Sequence, residues 1–406
     1  MNSKLFGGIL LVVGTTIGAG MLALPVATAQ LGFWGSFLLL IGCWLIMTAS
    51  AFLFLEVNLW LPPNSNLVSM AGATLGRSGQ AITWVVYLVL LYSIICAYIA
   101  GGGDLFHYVL ATNGIHLPQA VASILFTTIF GSIVYMGIRS VDYVNRGLMM
   151  GKMGALLLLI CLIMPFISSA NLDAGEFKNI IAPSSLTVTA VSFGCLMIIP
   201  LLCYIAWDMV IMGVVPLDGI PGLKAMTNST NTNSDLVTAL NTILHKDSVT
   251  FIAKFFTSIC MATSFLGVSL SLSDFLSDGS RVKKQGLMGN LIILGATFVP
   301  PVVIVLFYPN AFLLGLEFAG ISILILMVLF PPMMTWSGRY RKAFASTEYL
   351  TPANKPMLIF LMLLGAILLG ISGTWGMISL VSMIGIFTIK YIAGKVTAKT
   401  GVENAA

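Results

Sequence analysis

The sequence predicts an all-α protein that crosses a membrane many times. Of its 406 residues 58 % are hydrophobic and only 8 % charged, against roughly a quarter charged in soluble domains. The apolar residues also fall into runs that reach the roughly 20 residues a helical span requires. Lysine and arginine collect in short turns at alternate loops, as cytoplasmic loops of membrane proteins do. The formal charge of +5 therefore calls for a lipid bilayer and no nucleic acid.

Segment one covers residues 6–29 and segment two 35–61, with Glu56 near its end. After a Pro62-Pro63 turn comes an amphipathic stretch to Gly76-Arg77, then segment three over 81–110, with a break expected at Gly101-Gly102-Gly103-Asp104. Segment four is 118–137; a charged loop with Arg139, Asp142 and Arg146 leads to segment five, 147–167, with Lys152 in its first turns. Further spans follow at 249–272, 288–307, 311–336, 357–371 and 375–393, after a polar loop at 216–247. The prolines at 300–301 and 331–332 read as kinks and helix ends. The first segment resembles a secretory leader, but its Gly/Thr interruption spoils an apolar core, so it is expected to be retained.

The run at 186–215 is long for one span and short for two. Crossing once, it would put Arg281/Lys283/Lys284, Arg339/Arg341/Lys342 and the Lys390/Lys395/Lys399 tail outside. Returning to its own side, it places all three inside with both termini. A re-entrant hairpin or a pair of undersized helices is expected there, among ten complete spans. The six cysteines, Cys43, Cys96, Cys161, Cys195, Cys203 and Cys260, lie in apolar runs without metal-ligand spacing and are expected as buried thiols.

Gly14-Thr15-Thr16-Ile17-Gly18-Ala19-Gly20 is poor helix at a depth where a plain helix belongs. Unwound backbone survives in hydrocarbon only where it is buried in protein or lines a polar cavity. Such breaks form binding sites in many secondary transporters, with half-helix N-termini facing an anionic group and freed carbonyls a cation. A flexible helix packed closely through small residues is the other reading.

Several stretches in order carry a resemblance: Gly14 to Pro25, Leu55-Glu56-Val57, Ser192-Phe193-Gly194, Ala262-Thr263-Ser264-Phe265-Leu266-Gly267-Val268 and Phe307-Tyr308-Pro309. The chain resembles the bacterial aromatic amino acid permeases, tyrosine- and tryptophan-specific proton symporters of the amino acid–polyamine–organocation superfamily, and is closest to the tyrosine-specific branch. The resemblance implies a five-plus-five inverted repeat, about 6–167 and 186–336 within one transporter domain, and extra spans at 356–394. It implies discontinuous helices one and six in a fold of about 11 membrane segments. Gly14–Gly20 would then offer backbone groups to the substrate carboxylate and ammonium. Ser192-Phe193-Gly194 would begin the matching break, and Tyr98 either faces the aromatic ring or packs structurally.

One departure stands out. Gly194 is followed almost at once by Ile199-Pro200-Leu201-Leu202-Cys203-Tyr204-Ile205, which looks like helix seven. About two dozen residues of the sixth region are missing by the arithmetic of span length.

Lys152 either snorkels to the headgroups or places its amine where a sodium ion would sit, between segments one and five and near Thr263 and Ser264. In the second case it could load and release a proton, as is thought of some proton-coupled relatives in the superfamily. Glu56 could carry a proton itself or pair with a cation on another helix. Asp104 suggests an entrance or helix-end role. Thr15, Thr16, Thr263 and Ser264 offer hydroxyls that ligate a cation, cap carbonyls or bond their own helix. No span holds a paired-carboxylate, His-metal or Ser–His constellation, so no enzyme, metal or cofactor is expected. The expected function is proton-driven import of tyrosine or a related aromatic amino acid across the bacterial inner membrane. A transport-inactive or channel-like binding protein is the alternative.

Overall fold

A computed structural model of the chain describes residues 17–62, 65–173, 198–227, 229, 231–280, 286–308, 310–342, 344 and 350–403. The described residues form helices joined by turns. In order these are α1 (Ala19–Ala27), α2 (Gly32–Leu59), α3 (Leu67–Thr112), α4 (Gln119–Tyr135), α5 (Ile138–Ile163), α6 (Ile198–Val214) and α7 (Thr232–Leu244). There follow α8 (Asp247–Ser280), α9 (Gly286–Phe307), α10 (Ala311–Ile323), α11 (Phe330–Tyr340), α12 (Lys355–Ile371) and α13 (Thr374–Glu403). Six helical stretches are long and apolar enough to span a bilayer, and four shorter ones are apolar. The chain is an all-α, multi-pass membrane protein.

The chain divides into two compact units, Met1–Leu45 with Leu88–Gly320, and Ile46–Tyr87 with Ile321–Ala406. In the first, α5 and α8 pack most extensively, and α1 lies against α6 and α8. Phe126, Phe130, Phe265 and Phe298 form a ring cluster among α4, α8 and α9. In the second unit α12 packs on α11, on α13 and on the turn before α11, around Leu53, Ala353, Leu358 and Leu361.

Several expectations need correction. No break occurs at Gly101–Asp104, because α3 runs through it. The glycines there serve close packing: a Cβ on Gly102 would lie 2.4 Å from the Phe126 ring, and one on Gly103 would lie 2.0 Å from Ser123 Oγ. The true irregularity of α3 is Gly76, whose φ of 80° separates the amphipathic first turns from the apolar body. The charged loop before segment five is helix: Arg146 and Asp142 pair across one exposed turn of α5 at 2.9 Å, while Val141, Asn145, Met149 and Lys152 are buried along the adjoining face. Lys152 thus lies well inside a helix that starts at Ile138. The polar loop at 216–247 contains α7, whose Leu236, Val237, Leu240 and Leu244 are buried. Asp104 on α3 accepts hydrogen bonds at the start of that helix from Ser234 N (3.0 Å) and Ser234 Oγ (2.6 Å), which fits a carboxylate at a helix N-terminus.

Of the cysteines, Cys96 and Cys260 are buried, Cys43 and Cys203 are partly exposed, and Cys161 lies on the surface, where apolar side chains of a membrane helix meet lipid. Residues 186–197 and Cys195 lie outside the described residues, so only the second half of the ambiguous run is seen, as α6.

Both proline pairs are accommodated within helices. Pro331 and Pro332 open α11 directly after a wider π turn over Leu324–Leu329, which absorbs the missing N–H groups. Pro300 and Pro301 lie inside α9. Proline cannot donate to the carbonyl one turn earlier, and for Pro300 that acceptor is Ala296, which instead receives the Tyr92 hydroxyl at 2.7 Å. Tyr92→Phe should therefore strand a half-buried carbonyl and lower stability by about 1 kcal/mol. The expected reading is a lower midpoint of thermal unfolding in detergent with unchanged substrate selectivity.

Candidate functional site

The site begins where helix fails to form. Ile17 and Gly18 are buried but non-helical, with Gly18 at φ −145° and ψ −147°, and α1 starts only after them. The Gly18 carbonyl accepts Met21 N at 3.1 Å and Leu22 N at 3.4 Å. The N–H groups of Ala19 and Gly20, at the positive end of α1, face no carbonyl of their own helix. Gly14, Thr15 and Thr16 lie outside the described residues, as do Ser192, Phe193 and Gly194.

Three helices close on this turn. Lys152 of α5 is fully buried and donates from Nζ to the Ile17 carbonyl at 2.9 Å and to Thr263 Oγ1 at 2.9 Å. Thr263 in turn bonds the Ile259 carbonyl of its own helix at 2.8 Å. The amine does not reach headgroups, so snorkelling is ruled out for this arrangement. It bridges the broken segment, α5 and α8, where a metal cation would need carbonyl and hydroxyl oxygens of the same kind.

Ser264, the next residue on α8, is buried, and its hydroxyl lies beside Gly18 and the Tyr98 hydroxyl. A Cβ placed on Gly18 would sit 2.3 Å from Ser264 Oγ, 3.2 Å from its Cβ and 3.4 Å from Tyr98 Oη. Ile17, Gly18, Ala19 and Gly20 thus share one neighbourhood with Tyr98, Lys152, Thr263 and Ser264. Gly18→Ala is expected to lower stability by about 1–3 kcal/mol, the usual cost of overpacking. Adding Ser264→Gly should recover most of it, because only the ordinary contact with Tyr98 then remains. Thermal unfolding of the single and double variants in detergent checks both.

Glu56 does not join this group. Fully buried in the second unit, it holds Arg339 through Nε–Oε1 at 2.7 Å and Nη2–Oε2 at 2.6 Å, and it accepts Thr351 N at 2.9 Å. Of the two roles open to it, pairing with a cation is the one its surroundings provide.

Asp208 is absent from the residues that sequence singles out. It is fully buried on α6 and accepts a hydrogen bond from Ser36 Oγ. The signal was present, since Asp208 is a carboxyl inside an apolar run. That run reads first as a problem of topology, and its one acid is easily passed over.

A tyrosine-specific transport system of Haemophilus influenzae is 31 % identical over 393 residues, covering 91 % of this chain and 96 % of that protein. A tryptophan-specific transport protein of Pseudomonas aeruginosa is 28 % identical over 391 residues, covering 89 % and 92 %. The crystal structure of a manganese transporter of Eremococcus coleocola, solved with an aromatic bis-isothiourea compound, superposes with a TM-score of 0.58 at 14 % identity. It covers 94 % of this chain and 93 % of its own, which establishes a shared transporter fold. The tryptophan/tyrosine permease family is matched over residues 1–372, and the chain belongs to that family of membrane transporters.

Proposed function

We propose that the protein imports tyrosine, or a closely related aromatic amino acid, by proton symport across the bacterial inner membrane, with both termini cytoplasmic. The observation that carries this reading is the Lys152 amine, buried and bonded to the Ile17 carbonyl at the start of the break and to Thr263. A titratable cation at that point links proton loading to the shape of the turn that would hold substrate. The N–H groups at the start of α1 suit the substrate carboxylate. The Ser264 and Tyr98 hydroxyls border the same turn. In the cycle, protonation favours the outward-open form, substrate binds at the break, and one helix bundle rocks against the other to release both ligands inside. Two inverted repeats, about 6–167 and 186–336, would supply the two bundles.

Uptake of labelled tyrosine into proteoliposomes tests the reading, with and without an inward proton gradient and with unlabelled tryptophan as competitor. Accumulation that depends on the gradient is the expected result. Equilibration without accumulation would make the protein a channel. Binding alone would make it transport-inactive, an outcome the compressed run between Gly194 and α6 keeps worth testing.

A further inference from the structure

The second buried acid of the first unit has no task in the mechanism just described. Asp208 is fully buried. Its Oδ2 accepts Ser36 Oγ, while Oδ1 has no hydrogen-bond partner among the described residues. Ser36 is also 3.0 Å from Thr28 Oγ1, and Thr28 Oγ1 is 2.8 Å from the Leu24 carbonyl. Thr28 and Ser36 are themselves fully buried.

The titratable groups on the elements packed around α6 are otherwise engaged or far along their helices. On α5, Arg146 pairs with Asp142 and Lys152 with Ile17 and Thr263, while Arg139 lies in the first turn, before Asp142. Asp173, after the short turn that packs on α6, accepts Trp34 Nε1 at 3.1 Å. Glu56 of α2 is held by Arg339. On α8, which meets α6 through Phe256 and Trp207, Lys254 lies over the Tyr108 ring and Cys260 is a buried thiol. Cys203 and Tyr204 share the helix with Asp208. None of these groups forms an ion pair or hydrogen bond with Asp208 among the described residues.

A bare carboxylate in such a place is costly, and an uncompensated buried acid takes up a proton or a cation instead. A metal cation would require several oxygens arranged around it, and among the described residues only one hydroxyl touches this carboxyl. The hydroxyl chain, by contrast, is complete in either proton state. With Asp208 ionised, Thr28 donates to Ser36 and Ser36 donates to Oδ2. With Asp208 protonated on Oδ2, every donor reverses: the carboxyl donates to Ser36, Ser36 to Thr28, and Thr28 to the Leu24 carbonyl.

We propose that Asp208 is a second proton-binding site of the transporter, read out by helix α1 through Ser36 and Thr28. Thr28 terminates α1, and the break with its Lys152 contact lies at the other end of the same nine-residue helix. A proton at Asp208 therefore reverses the hydrogen bonds at one end of the helix whose other end would hold substrate. The coupling half of this inference rests on the symport reading, whereas the proton site itself does not.

Infrared difference spectroscopy of the full-length protein in lipid, recorded between acid and alkaline buffer, tests the site without any transport. A protonated-carboxyl band that is lost on alkalinisation is expected in the unaltered protein. It should be absent in Asp208→Asn, and it should shift in frequency in Ser36→Ala, which removes only the hydroxyl partner. A band unchanged in Asp208→Asn, or no titrating band in the unaltered protein, would overturn the proposal. In proteoliposomes, Asp208→Asn is expected to cut gradient-driven tyrosine accumulation about tenfold while tyrosine exchange stays within about twofold, the pattern of lost coupling with retained binding. Unimpaired accumulation would overturn the coupling. If the unaltered protein shows no transport, symport fails and the infrared result still decides whether Asp208 binds a proton.

Discussion

Lys152→Ala is expected to reduce gradient-driven tyrosine accumulation by about 100-fold or more. The amine donates to the Ile17 carbonyl and to Thr263 Oγ1, both at 2.9 Å, inside a site with no exposure to solvent. Hydrogen bonds to a charged group contribute about 1.5–3 kcal/mol each, so losing two removes at least two orders of magnitude from any step that needs the bridge. Alanine also strands the Ile17 carbonyl, which has no helical partner because the chain is unwound there. Thr263→Val, which keeps the amine and its backbone contact, should cost only about tenfold. The same proteoliposome assay run across a pH series compares the two variants, with detergent unfolding as a control for folding. If Lys152→Ala protein still concentrates tyrosine with unchanged pH dependence, Lys152 does not carry the proton.

Much of this site was legible before any coordinates, for a physical reason. Hydrocarbon enforces hydrogen-bond satisfaction so strictly that a Gly- and Thr-rich turn in an apolar run is informative by itself. The non-helical Ile17 and Gly18 are the described part of that turn. A lysine among apolar residues carries the same kind of information, but its depth was misjudged. Arg139, Asp142 and Arg146 read as a loop because charge density masked the spacing of Val141, Asn145, Met149 and Lys152, which is that of a buried helical face. Glycine proved ambiguous in a similar way. Gly101–Gly103 and Gly14–Gly20 are alike in composition, yet the first makes room for Phe126 and Ser123 within an unbroken helix. Whether a glycine cluster unwinds or merely lets a neighbour approach depends on what packs against it, and that information lies elsewhere in the chain. The Asp208 hydroxyl chain was invisible for the same reason, since Thr28, Ser36 and Asp208 come together only after α1, α2 and α6 have packed.

Arg339→Leu and Glu56→Leu are each expected to destabilise the protein by about 3–5 kcal/mol, the cost of leaving one member of a buried pair uncompensated. Glu56 has no solvent exposure and the Arg339 side chain only 12 %. Their contact is bidentate, and the guanidinium also donates to the Ala353 carbonyl at 2.6 Å and the Thr351 carbonyl at 2.8 Å. Removing Arg339 leaves a carboxylate whose remaining partners among the described residues are Thr351 groups; removing Glu56 leaves a guanidinium held by two carbonyls with no counter-charge among the described residues. The double variant Glu56→Leu/Arg339→Leu should recover much of the loss, because neither charge then has to be taken out of water. Arg339→Lys should resemble the leucine variant more than the unaltered protein, since an ammonium cannot match both carboxylate oxygens and two carbonyls in one plane. Thermal unfolding of the four variants in detergent gives the coupling directly. A double variant as unstable as the sum of its parts would mean that the residues contribute independently, through packing, and that Glu56 is not bound to Arg339 in the folded protein. A strongly non-additive result would show the Glu56 carboxylate engaged in structure and set it apart from the groups proposed to exchange protons.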